Sequence, residues 1–563
     1  MRRDLEIIAK VIRLTTSPVC RRLWTCDLLV RKLFKVDKRL TADSEKPSFE
    51  MRVPEVLESV RLGVWHLQAM VATMKRLLER PAFLLGLGCA FIFAANFRWG
   101  VGVVAWVAPV PLLRYLRLTR GWRSRLAFGA ALCAAWIATT LKIVTAPLPA
   151  VAALPTGLVA AMFSLAAYFT WDCIRSRATQ GAALLAFPAA VVVAEWLQHF
   201  TLIASWGAMA YTQVDDLPLL QLASLGGIAA VSFVVAWVAA WLELALSVAL
   251  GGTSPRGLWQ GIAVAAVFLG THAWGAIRLN APLDDVSVRV AAVGTPATFG
   301  GAIPLPDAPA RNAVVDKLLG DSARAATAGA RLVVWTEAAA LVMPGEEETG
   351  FLQRVAELAR VHSVDIVAAY VVPASQGQIL PYQNMFRWFG PDGVERQAYW
   401  KHHPAPGEPA VVGHGPLAAV DAPFGRAGGA ICYDYDYPEV ALEHARLGVD
   451  VVALPSSDWR GIDPLHTQMA ALGAIAGGFS LVRSTRFGLS AVVDPLGRMR
   501  GWHSSFEGGD PLLVAEVPRH HLKTVYAVAG DVLVFTCMVL LLLVAGWGAV
   551  SRMSGVVSPP SVD

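Results

Sequence analysis

Residues 428–434 read Gly428-Gly429-Ala430-Ile431-Cys432-Tyr433-Asp434, an apolar run that changes abruptly into polar residues. This pattern is typical of a buried strand that delivers a side chain to a loop, where catalytic groups of α/β domains tend to lie. Cys432 is the only cysteine between residues 285 and 526. A lone cysteine with acid/base partners elsewhere in the chain is a candidate nucleophile, whereas most free cysteines are small buried hydrophobes. From this motif alone, both interpretations stay open.

The composition indicates a membrane protein. The 563 residues are 55% hydrophobic and 16% charged, with a mean hydropathy of +0.49, whereas soluble chains carry about 25% charged residues. We predict about eight membrane spans, the second of them short for a hydrocarbon core of about 30 Å. Their approximate limits are 81–97, 99–113, 126–144, 150–172, 181–199, 222–250, 258–275 and 531–550. Residues 285–526 have globular composition and enough length for one domain.

Positive charge is unevenly distributed among the loops between these spans. The fifth loop has Asp215 and Asp216 but neither Lys nor Arg. The even-numbered loops hold the arginines Arg114, Arg117, Arg120, Arg123, Arg125, Arg175, Arg177 and Arg256. Because Lys and Arg are retained in cytoplasmic loops, the even loops and both termini are predicted to be cytoplasmic. Seven crossings in residues 81–278 then put the domain at 285–526 outside the cytoplasm, followed by a last transmembrane helix at 529–550.

Residues 1–80 are predicted to be a basic cytoplasmic extension, and residues 551–563 a cytoplasmic tail. The extension holds 17 Lys and Arg against 10 Asp and Glu. It is compatible with an interfacial helix on anionic lipid or with a solvated, partly helical segment. A secretory signal peptide would need an apolar core of about 7–15 residues after its first charges, and none is present.

The segment 285–526 alternates between two hydrophobic patterns. β-type runs cover 286–293, 331–335, 365–370, 427–432, 449–454 and 480–484, and helical patterns cover 311–328, 349–362, 437–447 and 464–478. Strands that alternate with helices predict an α/β layered domain.

Three runs in this segment end in reactive side chains: Glu337, Lys401 and Cys432. A thiol with a pKa of about 8.5 is a poor nucleophile until its proton is removed. A buried carboxylate can accept that proton, and a fixed ammonium can stabilise the thiolate and an oxyanion. Taken singly, Glu337 is compatible with a helix-start carboxylate and Lys401 with a surface cation. Their common placement at strand ends favours an active site.

The order Glu337, Lys401, Cys432 resembles the nitrilase, or carbon–nitrogen hydrolase, superfamily, whose members use a Glu-Lys-Cys triad on an α-β-β-α sandwich. Residues 335–339, Trp-Thr-Glu-Ala-Ala, resemble the Trp-Pro-Glu-Ala block of the family. Residues 401–408 resemble its Lys-x-His-x-x-Pro-x-Gly-Glu block with one residue missing. The resemblance implies that these three residues are catalytic and that Glu408 is a second, site-supporting glutamate.

Two further blocks extend the resemblance. Cys432-Tyr433-Asp434 is similar to the family's Cys-Tyr-Glu, which implies that Tyr433 and Asp434 support the nucleophile. Arg483-Ser484-Thr485-Arg486-Phe487-Gly488 resembles the closing Arg-x-Thr-Asn-x-Gly. Some family elements are altered: Ser457 precedes Asp458-Trp459 where the family has Asn, and 473–476 lack both charges of Arg-Ala-x-Glu.

The membrane part narrows the resemblance to the bacterial apolipoprotein N-acyltransferases, which have seven spans, an outer nitrilase-like domain and one final span. Glu195-Trp196-Leu197 and Tyr211-Thr212-Gln213 resemble motifs of that family, and residues 524–531 resemble its junction with the last span. The resemblance covers about residues 81–550. It implies a polytopic α-helical protein of the bacterial inner membrane, with its α/β sandwich on the periplasmic face.

The same resemblance implies a reaction and its partners. A phospholipid would donate an acyl chain to Cys432 as a thioester, and the N-terminal amine of a diacylglyceryl-cysteine lipoprotein would accept it. No cofactor, metal or nucleic acid is expected, and a monomer is compatible with the pattern. Although His402, His403 and His414 lie close in sequence, they do not have a recognised metal-ligand spacing.

Two alternatives remain open at the level of sequence. The first is a membrane-anchored nitrilase-type amidase that hydrolyses a small polar substrate without lipid. The second is a non-catalytic relative that binds lipid or lipoprotein, an interpretation that the altered elements favour.

Overall fold

The computed structural model describes residues 65–66, 69–70, 72–283, 286–295, 305–375 and 378–553. The predicted extension at 1–80 and the tail at 551–563 lie largely outside these residues. The chain forms two compact units, Met1–Leu77 and Leu78–Asp563. All elements named from Pro81 onward belong to the second unit.

The helical part occupies residues 81–280, and two more helices follow the sandwich domain. Its helices are α1 Pro81–Ala95, α2 Gly102–Ala105, α3 Pro109–Leu118, α4 Trp122–Thr140, α5 Ala153–Arg175, α6 Gln180–Gln198, α7 Leu217–Leu220, α8 Ala223–Ala249 and α9 Gln260–Asn280. Among the described residues, four helices are long and apolar enough to cross a membrane: Ala150–Arg175, Gln180–Gln198, Ala223–Ala249 and Gln260–Asn280.

The second predicted span is broken rather than continuous. It consists of α2 and α3, which are separated by a turn at residues 106–108. Pro109 is the first residue of α3, and proline is favoured there because its missing N–H is not needed in the first turn. Because proline has no backbone N–H, Pro109 cannot donate a helical hydrogen bond back to the preceding turn, and the helical hydrogen-bond pattern is interrupted there.

The α8 helix is kinked near its start. Gly226 and Gly227 have non-helical dihedral angles, with φ of 63° at Gly227. Glycine adopts this left-handed conformation at low cost. A Cβ atom at Gly227 would also lie 2.7 Å from the ring of Tyr526, so the close approach of this ring requires glycine.

The sandwich domain, residues 287–518, contains two sheets with helices on their outer faces. Its helices are α10 Ala308–Thr327, α11 Glu346–His362, α12 Pro438–Arg446 and α13 Leu465–Gly477. Its strands are β1 Ser287–Val293, β2 Leu332–Trp335, β3 Ala340–Leu341, β4 Asp365–Ser375, β5 Gln378–Phe389, β6 Glu395–Trp400, β7 Ala410–Val411, β8 Ala419–Ala422, β9 Gly425–Gly429, β10 Val451–Ser457, β11 Ser480–Arg486, β12 Leu489–Val493, β13 Met499–Ser504 and β14 Leu512–Pro518. Two helices follow this domain, α14 Val525–Ala529 and α15 Val532–Met553.

The first sheet has the strand order β14-β1-β2-β4-β5-β6, with β3 paired to β4 and β7 to β5. The second has the order β13-β12-β11-β10-β9-β8. Strands β1, β2 and β4 are mutually parallel, as are β9, β10 and β11. Parallel strands end at the same edge of a sheet, so side chains that follow them converge there.

Successive side chains of a strand point to opposite faces of its sheet and so pack into different layers of the domain. In β2, Leu332 and Val334 pack into the core between the two sheets, while Val333 and Trp335 pack against α10 and α11. Because both faces are buried, these strands are continuously apolar rather than alternating with polar residues. Helices α12 and α13 cover the second sheet. The domain is therefore an α-β-β-α sandwich.

The six β-type runs predicted from the sequence all coincide with strands, and the four helical patterns with α10 to α13. The run 427–432 is only partly a strand, because β9 ends at Gly429. The strand end predicted before Lys401 is the end of β6, whereas β3, β5, β7, β8 and β12 to β14 were not predicted.

Candidate active site

A cavity of about 330 Å³ lies where the sandwich domain meets the helical part. The sandwich domain contributes Glu337, Lys401 and Cys432 to its wall, together with Glu408 and Tyr433. The helical part contributes mainly apolar side chains, among them Phe97, Ile143, Val144, Leu148, Ile203 and Trp206. One end of the cavity is thus polar and reactive, and the other is apolar.

Glu337 lies two residues beyond the end of β2 and is 3% exposed. Its backbone N–H donates to the carbonyl oxygen of Ser456 in β10, at 3.2 Å. This bond joins the strand ends of the two sheets. The carboxylate of Glu337 is consequently held at the edge where β10 also ends.

Lys401 directly follows β6 and is 1% exposed. Its Nζ lies 2.7 Å from Oε1 of Glu337 and 2.6 Å from Oε2 of Glu408. Burial disfavours the ammonium, but the charges of these two carboxylates raise the pKa of Lys401 well above its usual value. The ammonium is therefore a fixed, permanent cation at neutral pH.

Asn384 in β5 connects the same two carboxylates. Its Nδ2 donates to Oε1 of Glu337 at 2.7 Å and to Oε1 of Glu408 at 2.9 Å. Two carboxylates near one ammonium would otherwise repel each other, and the amide N–H groups reduce that repulsion. The sequence analysis missed Asn384, which lies among the polar residues directly before the largely apolar segment 385–389.

Cys432 begins a short 3₁₀ helix, Cys432–Asp436, three residues after β9 ends. Its φ of 49° is in the left-handed region, which is uncommon for a residue with a side chain and is found at functional sites. The Sγ–H group donates to the carbonyl oxygen of Ser457 at 3.5 Å. Burial, followed by the charge of Glu337, raises the pKa of this thiol well above its usual value, while Lys401 opposes the rise. The resting thiol is protonated.

Asp434 and Tyr433 hold this turn from opposite sides. The carboxylate of Asp434 accepts hydrogen bonds from the backbone N–H of Ile431 at 2.9 Å, from the Tyr399 hydroxyl at 2.8 Å and from the backbone N–H of His403 at 2.7 Å. The Tyr433 hydroxyl donates to the carbonyl oxygen of Leu202 in the helical part at 2.7 Å. Asp434 positions the backbone around Cys432, and Tyr433 ties it to the helical part.

A buried ion network that was not predicted lies next to the turn that carries Cys432. His466 in α13 contacts Oδ1 of Asp436 through Nε2 at 2.8 Å and Oδ1 of Asp458 through Nδ1 at 2.7 Å. Arg483 pairs with both oxygens of Asp458 at 2.9 and 3.0 Å. Burial alone would lower the pKa of His466, but the two carboxylates raise it to about 9. His466 is therefore an imidazolium at neutral pH.

Among the described residues, one group has ligand types and spacing compatible with a metal ion: Cys432, Asp458 and His466, whose ligand atoms lie within 4.8 Å of one another. Both ring nitrogens of His466 are already bonded to carboxylates, and Asp458 is paired with Arg483. A metal ion would have to displace the guanidinium and deprotonate the imidazolium. These contacts fit an ion-pair network that supports the turn better than a metal site.

The chain matches two family models. Residues 85–241 match the apolipoprotein N-acyltransferase N-terminal domain, and residues 289–526 match the carbon-nitrogen hydrolase family. The apolipoprotein N-acyltransferase of Bradyrhizobium diazoefficiens is 28% identical over 423 residues, which cover 64% of this chain and 73% of that protein. The Geobacter metallireducens apolipoprotein N-acyltransferase is 25% identical over 501 residues, which cover 82% of this chain and 94% of that protein.

Among solved structures, a mutant of the amidase from Nesterenkonia sp. AN1 is similar to this chain, with 20% sequence identity and a TM-score of 0.36. The similarity covers 43% of this chain and 94% of the amidase.

Proposed function

The chain is a divergent member of the apolipoprotein N-acyltransferase family, and we propose that it acylates the N-terminal amine of diacylglyceryl-cysteine lipoproteins. The acyl chain comes from a phospholipid and passes through a thioester on Cys432. Glu337 serves as the general base, and Lys401 stabilises the oxyanion. Glu408, Tyr433 and Asp434 support the site.

The observation that carries this proposal is the composition of the cavity wall. Apolar residues of the helical part and the Glu337–Lys401–Cys432 cluster line one continuous space. Moving a long acyl chain from a bilayer into water costs roughly 10 kcal/mol, at about 0.8 kcal/mol per CH₂. A reactive cysteine at the end of an apolar cavity lets the chain reach the thiol without that cost. A site that served a small polar substrate would not need an apolar wall.

In the first half-reaction, the Cys432 thiol gives its proton to Glu337 as sulfur attacks the ester carbonyl of the phospholipid. Lys401, whose Nζ is held 2.7 Å from Glu337, stabilises the negative charge that develops on sulfur and then on the carbonyl oxygen. The C–O bond of the ester breaks, and Glu337 returns its proton to the departing alkoxide. The products are a lysophospholipid and a neutral thioester.

In the second half-reaction, the neutral amine of the lipoprotein attacks the thioester carbonyl. Glu337 removes a proton from the amine, the C–S bond breaks, and the thiolate recovers that proton, so that an amide and free Cys432 result. Hydrolysis competes with this step whenever water reaches the thioester. The buried position of Cys432, which is 4% exposed, favours aminolysis because it limits the access of water.

We further propose that about eight spans anchor the enzyme in the bacterial inner membrane. Seven lie in residues 81–278 and the last in 529–550, with 285–526 as the catalytic domain on the periplasmic face. The extension at 1–80 and the tail at 551–563 are cytoplasmic. The arginine-rich even loops and the four long apolar helices support this arrangement.

Acyl loading of the full-length protein tests the reaction. Incubation with phospholipid labelled in its acyl chains, without acceptor, should load one chain per protein, and neutral hydroxylamine should release it. Adding a diacylglyceryl peptide with a free N-terminal amine should convert the label into a hydroxylamine-resistant amide. Cys432→Ala should abolish loading, whereas the matched control Cys537→Ala, which removes another buried thiol, should load normally.

Two outcomes would contradict the proposal in different ways. Label that accumulates only as free fatty acid would identify a hydrolase. Label that never reaches Cys432 would identify a lipid-binding protein without this chemistry.

A further inference from the structure

Arg486 is the last residue of β11 and lines the same cavity as Glu337, Lys401 and Cys432. In the closing block that residues 483–488 resemble, this position is asparagine, which is uncharged. The ammonium of Lys401 is already paired with Glu337 and Glu408, at 2.7 and 2.6 Å. The wall of this cavity therefore holds the cations Lys401 and Arg486 beside the carboxylates of Glu337 and Glu408.

Hydrogen bonds to other residues of the cavity wall help to fix the Arg486 side chain there. Its Nε donates to Oγ of Ser457 at 3.1 Å, and its Nη1 donates to the carbonyl oxygen of Ala338 at 3.2 Å. Ala338 directly follows the proposed base, and the carbonyl oxygen of Ser457 accepts the hydrogen bond from the Cys432 thiol. The guanidinium therefore bridges the segment that carries the proposed base and the strand end that accepts the hydrogen bond of the Cys432 thiol.

The two altered positions in this region contact each other. Ser457 also stands where the family pattern has asparagine, and its hydroxyl is the group that accepts from Arg486. Serine is shorter than asparagine and leaves more space for the long arginine side chain. Two of the positions that differ from the family pattern are thus joined by a hydroxyl–guanidinium hydrogen bond in this chain.

A glycerophospholipid presents three kinds of group to this cavity. The apolar wall suits its acyl chain, and Cys432 with Lys401 suits its ester carbonyl. Its phosphodiester is an anion a few bonds from that ester, and the planar guanidinium of arginine matches phosphate oxygens in charge and geometry. We propose that Arg486 binds the phosphodiester of the acyl donor and thereby determines donor specificity. This inference rests on the proposed acyltransferase function.

Loading of Cys432 in the full-length protein by two donors with the same labelled acyl chain tests the inference. One donor is phosphatidylglycerol, and the other is an uncharged ester, the p-nitrophenyl ester of the same fatty acid. Arg486→Gln should lower the ratio of the phosphatidylglycerol rate to the neutral-ester rate by about tenfold or more, through a higher KM for the phospholipid. The ratio in Arg486→Lys should lie between those of Arg486→Gln and the unmodified protein, because lysine keeps the positive charge but lacks the planar pair of guanidinium N–H donors. The exposed control Arg500→Gln should keep the ratio of the unmodified protein.

Inorganic phosphate distinguishes a headgroup site from a general phosphate site. At millimolar concentration it should not reduce loading by phosphatidylglycerol, because it lacks the acyl chain that places the donor in the cavity. Inhibition by phosphate that disappears in Arg486→Gln would show a free-phosphate site and overturn the assignment to the headgroup.

Two results with the variants would also overturn the inference. An equal loss with both donors would mean that Arg486 acts on the triad, and no loss with either would exclude it from donor recognition. Failure of the proposed function gives a separate result, since the unmodified protein would then load neither donor onto Cys432.

Discussion

At the scale of single residues, the protonation state of Cys432 decides how the site works. Burial and the charge of Glu337 both raise the pKa of the thiol, so the resting site does not store a thiolate. The same carboxylate that disfavours the thiolate is the group proposed to take its proton. Deprotonation must then be coupled to attack on the donor, when Glu337 becomes neutral and its repulsion disappears.

This coupling predicts that Glu337→Gln changes two measurements in opposite directions. Removing the negative charge lowers the pKa of the thiol, so the thiolate fraction at pH 7–9 rises and alkylation of Cys432 by iodoacetamide should accelerate by about tenfold. Removing the base should slow acyl loading by about a hundredfold or more. Alkylation rates between pH 6 and 10, measured by mass spectrometry beside loading rates, give both values.

Exposed Glu507 provides the matched control for this experiment, because Glu507→Gln removes a carboxylate outside the cavity wall. It should change neither rate. If alkylation and loading both slow in Glu337→Gln, the carboxylate supports the structure of the site and does not act as its base.

At the scale of elements, the loop that follows α6 holds the turn of the nucleophile. Trp206 Nε1 donates to Oδ2 of Asp436 at 2.8 Å, and the backbone N–H of Ser205 donates to the Asp436 carbonyl oxygen at 3.1 Å. Asp436 is the last residue of the 3₁₀ helix that Cys432 begins. The helical part as well as the sandwich domain therefore contacts the turn that carries Cys432.

We expect Trp206→Phe to slow acyl loading by about tenfold while leaving the protein folded. A hydrogen bond to a carboxylate contributes about 1.5–3 kcal/mol, but His466 keeps its own bond to Asp436, so the turn should loosen rather than unfold. Loading kinetics and thermal unfolding of the purified variant test this expectation. Trp259→Phe, at a tryptophan that is 67% exposed, is the control. Unchanged loading in Trp206→Phe would mean that the turn is stable without the helical part.

At the scale of the whole molecule, several of the loop arginines from which the membrane orientation was predicted form ion pairs with carboxylates on the helices. The carboxylate of Glu243 in α8 accepts hydrogen bonds from Nε and Nη2 of Arg117. The carboxylate of Asp172 in α5 forms ion pairs with Arg125 and Arg175. These pairs connect α3, α4, α5 and α8 at the ends where the positive charges cluster. Arginines on which the proposed orientation rests thus also join the helices to one another.

Reporter fusions test the proposed orientation. An alkaline phosphatase fused after Ala281 should be active, because that enzyme folds outside the cytoplasm, whereas fusions after Arg120 or Gly252 should be inactive. A green fluorescent protein fused at the same positions should show the reverse pattern. Phosphatase activity after Gly252 together with none after Ala281 would reverse the orientation and exclude periplasmic lipoproteins as acceptors.

The sequence by itself determined the features that depend on local pattern and residue type. Composition indicated a membrane protein, apolar periodicity indicated the alternation of strands and helices, and the order Glu337, Lys401, Cys432 indicated the chemistry. The prediction failed at the sheet edge formed by β13, because this partly exposed strand lacks a continuous apolar run.

Only the tertiary structure revealed the groups that support these residues. Asn384 contacts a glutamate 47 positions away, His466 contacts Asp436 from 30 positions away, and Trp206 contacts the same aspartate from 230 positions away. The cavity itself forms between apolar helices and polar strand ends that are remote in the chain. Secondary structure depends on neighbours within a few residues, so the local sequence encodes it. Burial, ion pairing and cavity shape instead depend on which distant surfaces pack together.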